Sequence, residues 1–323
     1  MSLHVLSAGL LTTVQDAGRP GLRHLGVGMA GALDAWSHAL ANRLAGNAAG
    51  TAALEITLTG PTLRFDAAAR IALCGAQLDA AVEGAPGEGV DIPMARPIDL
   101  PAGSVLRLGG CRDGARSYLA VEGGIAVPEV LGSAATDLRG GFGGMRGRPL
   151  ATGDVLPLAR RSQRRIDALR IAPWWLDMTP DDAPHSLVRV LPGEPGAPLD
   201  PLCARRWRVA AASDRQGLRL SGAVLSQDML SQGRRERTSE PVLPGTVQLP
   251  PDGQPIVLLA DAQTHGGYPR IAHAIRADWP KLAQLRPGDS VSFASCTPAQ
   301  ARAALDEQRQ RFARIGLALA ARG

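Results

Sequence analysis

The chain has 323 residues, 45% of them hydrophobic and 20% charged, so it is long enough for two domains that each bury a core. The formal charge of +5 comes from basic residues scattered among acids, and only 3% of residues are aromatic, which argues against a nucleic-acid reader. The four cysteines stand far apart without a CxxC pair, and no run of roughly eighteen apolar residues occurs, so a disulfide framework, a metal site and a membrane span are excluded. We therefore expect a soluble, cytoplasmic chain without a bound metal.

Short apolar runs bounded by glycine and proline predict a mainly β chain. The sequence contains 38 glycines and 25 prolines, which favour strands and turns over long helices. A glycine turn that leads into an apolar alternation occurs three times, as PAGSVLRL, ATGDVLPL and RPGDSVSF. Further strands are predicted, in chain order, at LEITL (54 to 58), RIALCG (70 to 75), YLAVEG (118 to 123), SLVRVLPG (186 to 193), LRLSG (218 to 222) and IVLLAD (256 to 261).

Two helices are predicted from capping signals and helical spacing. The first runs from Asp34 to Leu44, with Asp34 as its N-cap and Gly46 as a stop signal. The second begins at Thr297, where a hydroxyl cap and a glutamine three residues later form a capping box. Its apolar side chains recur at helical spacing, so we expect this C-terminal helix to pack on the body of the protein.

The stretch between the two halves of the chain holds no hydrophobic period. Residues 159 to 185 pass from an arginine-rich run to WWLDMTPDDAPH, which predicts a domain boundary near 160 to 185. We therefore predict an N-terminal β domain at 1 to 165, a C-terminal β domain at 186 to 296 and the C-terminal helix at 297 to 323.

The densest polar cluster is TTVQDAGRPGLRHLGVGMAGALD, at residues 12 to 34. Its glycines let the backbone approach a ligand, and its side chains supply donors, an acid and a base. The candidates here are Gln15, Asp16, Arg19 and His24. The alternative is an irregular surface loop in which Asp16 caps a turn and Arg19 is solvated.

Three further polar clusters lie in the second half, at AASDRQGLRLSG, TSEPVLPGTVQLP and LLADAQTHGGYPRIAHAI. Polar residues at strand ends, joined by glycine loops, are typical of a site on a rigid β scaffold, so we expect these clusters to form a polar cleft together with the cluster at 12 to 34. For Asp214 and Arg215 the alternative is a surface ion pair at a hairpin. The candidates in these clusters are Asp214, Arg215, Glu240, Gln248, Asp261, Gln263, His265, Tyr268 and Arg270.

Ordered motifs along nearly the whole chain resemble one family. They include TVQDAGRPGLRHLGV near the start, SDR.G.RL.G from 213, SEPVLPGTVQ from 239 and D.QT.GGYP.I from 261. In these motifs the chain is similar to the biotin-dependent carboxyltransferase family, also called the allophanate hydrolase subunit 2 or KipA family. The resemblance implies two cyclophilin-like β-barrel domains with a few short helices and a C-terminal helix.

The resemblance also implies an activity and partners. It implies the ATP-dependent opening of 5-oxo-L-proline to L-glutamate, by a hydrolase that works with the KipI-like B subunit and the A subunit of 5-oxoprolinase, so that ATP acts through the complex. We expect Asp261, His265, Asp16 and His24 to transfer protons, and the remaining candidates to bind the substrate. Arg270 can balance charge but cannot act as a base.

Two other functions stay open. One is a carboxyltransferase that acts on urea or a related amide, with biotin carried by another protein, because the only lysine, Lys281, follows Trp-Pro and not Met. The other is a non-catalytic regulator that binds a KipI-like kinase inhibitor.

Overall fold

The computed structural model describes residues 1–83, 89–159, 165–178, 186–194, 199–225 and 238–322. The chain folds into two compact units, which we describe separately. Unit 1 comprises Met1–Arg19 and Ala30–Thr179, and unit 2 comprises Pro20–Met29 and Pro180–Arg322. Residues 20 to 29 thus belong to unit 2, although the sequence predicted them within the first domain. The C-terminal helix is also part of unit 2.

Unit 1 is built on a ten-stranded antiparallel sheet. Its strands are β1 (Ser2–Ser7), β2 (Leu11–Gln15), β3 (Ala53–Thr57), β4 (Thr62–Phe65), β5 (Ala69–Glu83), β6 (Gly89–Asp91), β7 (Ile98–Leu100), β8 (Val105–Val121), β9 (Val155–Pro157) and β10 (Arg170–Ile171). The main path runs β10-β7-β5-β8-β4-β1-β9, while β3 joins β2 to β8 and β6 pairs with β5. The long strands β5 and β8 pair from Ile71↔Val121 to Val82↔Leu106 with three register shifts.

The core of unit 1 comes from the apolar runs seen in the sequence. Leu54, Ile56, Ile71, Leu73 and Leu119 are all 0% exposed. Within β3 and β5 these side chains are two residues apart, so they share one face of the sheet and pack in the core. The predicted strand at 70 to 75 is the start of β5, and the one at 118 to 123 is the end of β8.

Unit 2 contains a closed seven-stranded barrel of order β11-β18-β15-β16-β13-β12-β19. Its strands are β11 (Leu187–Pro192), β12 (Arg206–Val209), β13 (Gly217–Ser221), β15 (Thr246–Gln248), β16 (Ile256–Leu258), β18 (Arg270–Ala274) and β19 (Ser290–Ser295). The parallel pairing of β11 with β19 closes it. A separate two-stranded sheet joins β14 (Glu240–Pro241) to β17 (His265–Gly266).

Alternation of buried and exposed residues explains the barrel. In β12, Trp207 and Val209 are 1% exposed while the two other residues, both arginines, face outward, and β13 and β19 alternate in a similar way. A period of two places every second side chain inside a closed sheet. The predicted strand at 256 to 261 is shorter than expected, because β16 ends at Leu258 and a turn follows.

The prediction of a mainly β chain with a few helices is confirmed, since strands make up 37% and helices 17% of the structure. The barrel prediction is confirmed for unit 2. The strand pairs described in unit 1 form a branched sheet, because β3 and β6 join it beside the main path. A three-way junction of this kind depends on distant pairings that a local pattern does not encode.

The four α-helices of the described residues are α1 (Ala35–Leu44), α2 (Asp200–Cys203), α3 (Trp279–Gln284) and α4 (Pro298–Ala320). Both capping predictions are confirmed: Asp34 accepts from the Ser37 backbone N–H, and Thr297 and Gln300 form the capping box. One side of α4 contacts the 3-10 helix Arg276–Asp278, where Gln308 Nε2 donates to the Ala277 carbonyl at 3.3 Å. No helix in the described part of the chain is long and apolar enough to cross a membrane.

Candidate functional site

A cavity of about 690 Å³ in unit 2 brings together four of the predicted site residues. We call it the site cavity, and its predicted members are Asp214, Gln248, Gln263 and Tyr268. They come from the turn before β13, the end of β15 and the segment between β16 and β18. Three sequence clusters that lie far apart along the chain therefore meet at one concave surface, as expected for a site at strand ends.

Gln248 is the most deeply buried polar side chain in this cavity, at 1% exposure. It ends β15 at a shift in the pairing with β18. Its Oε1 accepts from Gln263 Nε2 at 3.4 Å. Its Nε2 is buried and has no hydrogen-bond partner among the described residues. An unpaired buried donor costs about 1–3 kcal/mol, so a ligand that accepts a hydrogen bond from Gln248 Nε2 would gain this free energy.

Arg215 and Asp261 form a buried ion pair that ties together two turns of the site. Arg215 Nε lies 2.8 Å from Asp261 Oδ2 and Nη2 lies 2.9 Å from Oδ1, with side chains only 3% and 2% exposed. The Asp261 backbone N–H also donates to the Arg215 carbonyl at 3.1 Å. The sequence alternative of a surface pair between Asp214 and Arg215 is therefore wrong, because Arg215 turns inward to Asp261.

This pairing bears on the roles predicted for the two carboxylates. Both Asp261 oxygens accept hydrogen bonds from the guanidinium of Arg215, an arrangement that suits a residue that holds its turn in place. Proton transfer by Asp261 stays a prediction. Asp214 is exposed, and its Oδ1 accepts from the backbone N–H groups of Gln216 at 2.8 Å and Gly217 at 3.2 Å. It thus shapes the turn that enters β13.

Arg23, which is absent from the predicted set, links residues 20 to 29 to the site. It begins the 3-10 helix Arg23–Leu25, and its Nη2 donates to the Val242 carbonyl at 2.6 Å and the Gln263 carbonyl at 2.8 Å. Burial lowers the pKa of Arg23. The arginine therefore holds the backbone of the segment that carries Gln263. His24, predicted to be catalytic, is exposed in the same 3-10 helix.

Glu240, His265 and Arg270 do not appear among the residues that line the site cavity. Arg270 makes a close ion pair with Glu240 and also donates through its backbone N–H to Glu194 Oε1 at 3.2 Å. His265 is exposed, with Nδ1 3.0 Å from Thr264 Oγ1. Because β14 pairs with β17, Glu240 and His265 lie on one small sheet beside the glycine turn.

In unit 1, Gln15 and Asp16 are anchored to the chain around residue 134. Gln15 is 0% exposed, and its Nε2 donates to Thr13 Oγ1 at 3.0 Å and the Thr136 carbonyl at 3.1 Å. Asp16 accepts from Gly18 N, Ser133 Oγ and Ala134 N, each at 2.7 Å. The alternative in which Asp16 caps a turn therefore matches the contact with Gly18. Gln15 Oε1 is buried without a partner among the described residues.

Arg19 is also bound to the protein itself. It is 1% exposed, with Nη2 donating to the Ala135 carbonyl at 2.6 Å and Nε donating to the Val130 carbonyl at 3.3 Å. Its guanidinium lies 4.9 Å from the centre of the Phe142 ring. The alternative of a solvated Arg19 is wrong, because these contacts hold it inside unit 1. Its predicted substrate contact stays a prediction.

A buried polar network in unit 1 was missed by sequence reasoning. Glu55 Oε2 accepts from the Tyr118 hydroxyl at 2.8 Å and the Leu33 backbone N–H at 2.9 Å, and the Tyr118 oxygen accepts from Asp34 N at 2.8 Å. Burial, with the nearby charges of Glu55 and Asp34, raises the pKa of Tyr118. Burial also lowers the pKa of His38, whose ring packs edge-on against Tyr118. Glu55 and Tyr118 sit inside apolar strand patterns, so no local signal marked them.

The residues present were compared with the groups that the sequence resemblance implies. The wall of the site cavity carries the carboxylates of Asp214 and Asp252 beside the guanidinium of Arg219, a charge set that does not fit a triphosphate. Lys281 is 1% exposed, with Nζ 3.4 Å from Asp278 Oδ1, so it is inaccessible to biotin attachment. The described residues contain no group of three or more His, Cys, Asp or Glu that could hold a metal ion.

Comparison with known proteins identifies relatives along nearly the whole chain. Residues 25–295 match a family model described as carboxyltransferase domain, subdomain A and B. The chain is 40% identical over 320 residues to the C subunit of 5-oxoprolinase from Escherichia coli (strain K12), an alignment that covers 97% of each protein.

Two solved structures are similar in fold. The crystal structure of TTHA0988 superposes with a TM-score of 0.76 at 39% identity, covering 91% of this chain and 55% of that one. Kluyveromyces lactis urea carboxylase gives a TM-score of 0.84 at 29% identity, covering 96% of this chain and 29% of that one. The chain thus spans about half of the first structure and less than a third of the second.

Proposed function

The chain belongs to the carboxyltransferase domain family of subdomains A and B, and on this basis we propose that it is the C subunit of an ATP-dependent 5-oxoprolinase. The observation that carries the proposal is the 40% identity to the Escherichia coli protein over 97% of both chains. The urea carboxylase match instead covers 29% of a much longer chain. The reaction is the opening of the lactam of 5-oxo-L-proline to L-glutamate.

In this proposal the chain binds and orients the lactam in the site cavity. Gln263 and Gln248 supply amide groups at the cavity wall, and the Arg215–Asp261 pair holds the turns that carry the neighbouring residues. Donors arranged before the reaction stabilise charge on a carbonyl oxygen without reorganisation. His265 does not line the cavity itself, but it is exposed on β17 between Gln263 and Tyr268, which do line it, and it is the proposed proton-transfer group.

Partner proteins complete the reaction. Because the charges around the site cavity do not fit a triphosphate, we assign ATP to the complex and not to this chain. The partners are the A subunit and the KipI-like B subunit of 5-oxoprolinase. The chain is accordingly one component of a hydrolase that is active in the complex.

Co-expression tests this proposal. The chain is purified with the A and B subunits, and ADP and L-glutamate formation are followed with and without 5-oxo-L-proline. We expect oxoproline-dependent ATP hydrolysis only when all three chains are present. Equal rates with and without this chain would contradict the assignment. His265→Asn and His24→Asn provide matched substitutions, and a loss of activity is expected for the first alone.

A carboxyltransferase that acts on urea is the second candidate. It is favoured by the superposition on urea carboxylase, whose TM-score of 0.84 exceeds the 0.76 obtained with TTHA0988. Biotin would then arrive on another protein, because Lys281 is buried. Urea-dependent release of free biotin from carboxybiotin, without any response to 5-oxo-L-proline, would favour this activity over the first.

A further inference from the structure

The side-chain amide of Gln248 is buried in the site cavity with much of its hydrogen-bonding capacity unused. Its Nε2 has no partner among the described residues, and its Oε1 accepts a bond from Gln263. An amide nitrogen donates two hydrogen bonds and an amide oxygen accepts two. Gln248 therefore offers a donor and an acceptor position on one planar group.

A donor and an acceptor on one edge match a particular ligand chemistry. A lactam ring holds its amide cis, so that the N–H and the C=O point to the same side, and urea has the same edge. An ordinary trans peptide bond points them to opposite sides. We propose that Gln248 recognises the substrate by this edge: its Nε2 donates to the lactam carbonyl oxygen and its Oε1 accepts from the lactam N–H.

The choice of 5-oxo-L-proline as the natural ligand rests on the proposed function, whereas the recognition of a cis-amide edge rests on the geometry. The two bonds form a closed ring of the kind that pairs two primary amides. One recognition element would thus serve a lactam and a urea. This accounts for relatives that include both a 5-oxoprolinase component and a urea carboxylase.

Arg219 supplies the charge that distinguishes a lactam acid from a neutral amide. It is exposed on β13 and lines the same cavity. The neighbouring carboxylates are bound to backbone donors: Asp214 accepts from Gln216 N and Gly217 N, and Asp252 accepts from Gln254 N at 3.0 Å. Arg219 is the cationic side chain among the residues that line the wall, and its single guanidinium can pair with the single carboxylate of 5-oxo-L-proline.

The turn at 265 to 268 lies against the side-chain nitrogen of Gln248. A Cβ added to Gly266 would lie 2.6 Å from Gln248 Nε2, so the glycine backbone rests against this nitrogen. Gly266 and Gly267 give the turn conformational freedom, and Tyr268 beyond them is 46% exposed at the cavity. The proposal therefore includes an outward movement of this turn, which gives a ligand access to Nε2.

The test is ligand binding to the full chain, followed by NMR of ¹⁵N-labelled side-chain amides. The ligands are 5-oxo-L-proline, 2-pyrrolidinone, N-methyl-2-pyrrolidinone and L-proline. The Gln248 signals are identified by their absence in Gln248→Glu. We expect both lactams with a free N–H to shift these signals. N-methyl-2-pyrrolidinone should bind at least about tenfold more weakly, since a buried polar group left unpaired costs about that factor.

Two variants separate the roles of the binding residues. Gln248→Glu has nearly the same shape but replaces the donor by an acceptor, so it should lose binding of both lactams. Arg219→Gln should weaken 5-oxo-L-proline about tenfold and leave 2-pyrrolidinone unchanged. The matched control is Gln310→Glu, which makes the same substitution at an exposed residue of α4 that does not line the site cavity and should bind like the wild type.

Equal affinity for 2-pyrrolidinone and its N-methyl derivative would overturn the proposal, as would Gln248 signals that do not move at saturating lactam. Both measurements use the wild-type chain, so they do not depend on the folding of a variant. They are also independent of turnover. A complex that fails to hydrolyse ATP with 5-oxo-L-proline would reject the proposed function while the discrimination between the two lactams still decides the role of Gln248.

Discussion

The buried pair of Arg215 and Asp261 leads to a quantitative prediction for unit 2. Arg215→Ala removes the guanidinium and leaves the Asp261 carboxylate at 2% side-chain exposure without its two charged hydrogen bonds. Breaking a buried ion pair on one side costs about 3–5 kcal/mol, because the remaining charge stays buried after it loses its oppositely charged partner. For a unit of roughly this size, that corresponds to a Tm lower by roughly 6–20 °C.

The matched control is Arg148→Ala in unit 1. Arg148 makes an equally close bidentate pair with Asp154, at 2.7 Å for both bonds, but its side chain is 43% exposed. Exposed pairs contribute about 0–1 kcal/mol, so we expect a small effect. A double variant, Arg215→Met with Asp261→Leu, removes both charges and should recover most of the stability lost in Arg215→Ala.

Thermal and urea unfolding of the full chain provide the assay. Trp207 and Trp279 lie in unit 2 and three further tryptophans lie in unit 1, so tryptophan fluorescence follows the unfolding of both units. Far-UV circular dichroism below the unfolding transition checks that each variant is folded. The reasoning is refuted if Arg215→Ala and Arg148→Ala lower the unfolding free energy by the same amount, since burial is the difference between the two pairs.

Three further predictions concern other parts of the chain. Burial lowers the pKa of His38 from its ordinary 6.5, so on acidification the His38 ring is protonated in the unfolded chain before it is protonated in the folded chain. The free energy of unfolding should therefore fall as the pH drops below about 6.5. Urea titrations of wild type and His38→Gln should show a weaker pH dependence of this free energy in the variant, and the same pH dependence in both proteins would contradict the argument. Lys281 is 1% exposed, so an amine-reactive ester should label it only after unfolding, and mass spectrometry that finds it labelled in the native chain would contradict its burial. A Cβ added to Gly316 in α4 meets no atom within 4 Å, so Gly316→Ala should stabilise the chain by about 0.5–1 kcal/mol through helix propensity, and a lower Tm would show that this part of the helix makes other contacts.

Local patterns predicted much of the fold because they reflect local physics. The cap of α1 by Asp34 and the capping box at Thr297 are formed by residues three apart, so the sequence contains all the atoms involved. The strand at 54 to 58 is β3 displaced by one residue, because a short apolar run between turn signals marks a buried strand. The motifs of the family are likewise linear features.

The sequence predicted a polar cleft from its polar clusters, and three residues from separate clusters, Asp214, Gln248 and Gln263, line the site cavity. Their inclusion in one site depended on the general rule that strand ends carry functional side chains. Their individual contacts were not predictable in this way.

The sequence by itself determined the β-rich class, the two capped helices and the family, because these depend on neighbours along the chain. Only the tertiary structure decided that Arg215 turns inward to Asp261, that Arg23 holds the carbonyl of Gln263, and that Glu55 and Tyr118 share a buried hydrogen bond. Each of these contacts joins residues that are distant in sequence. The pairing of distant strands and the burial of their side chains determine which residues meet. Neither produces a periodic pattern in the sequence.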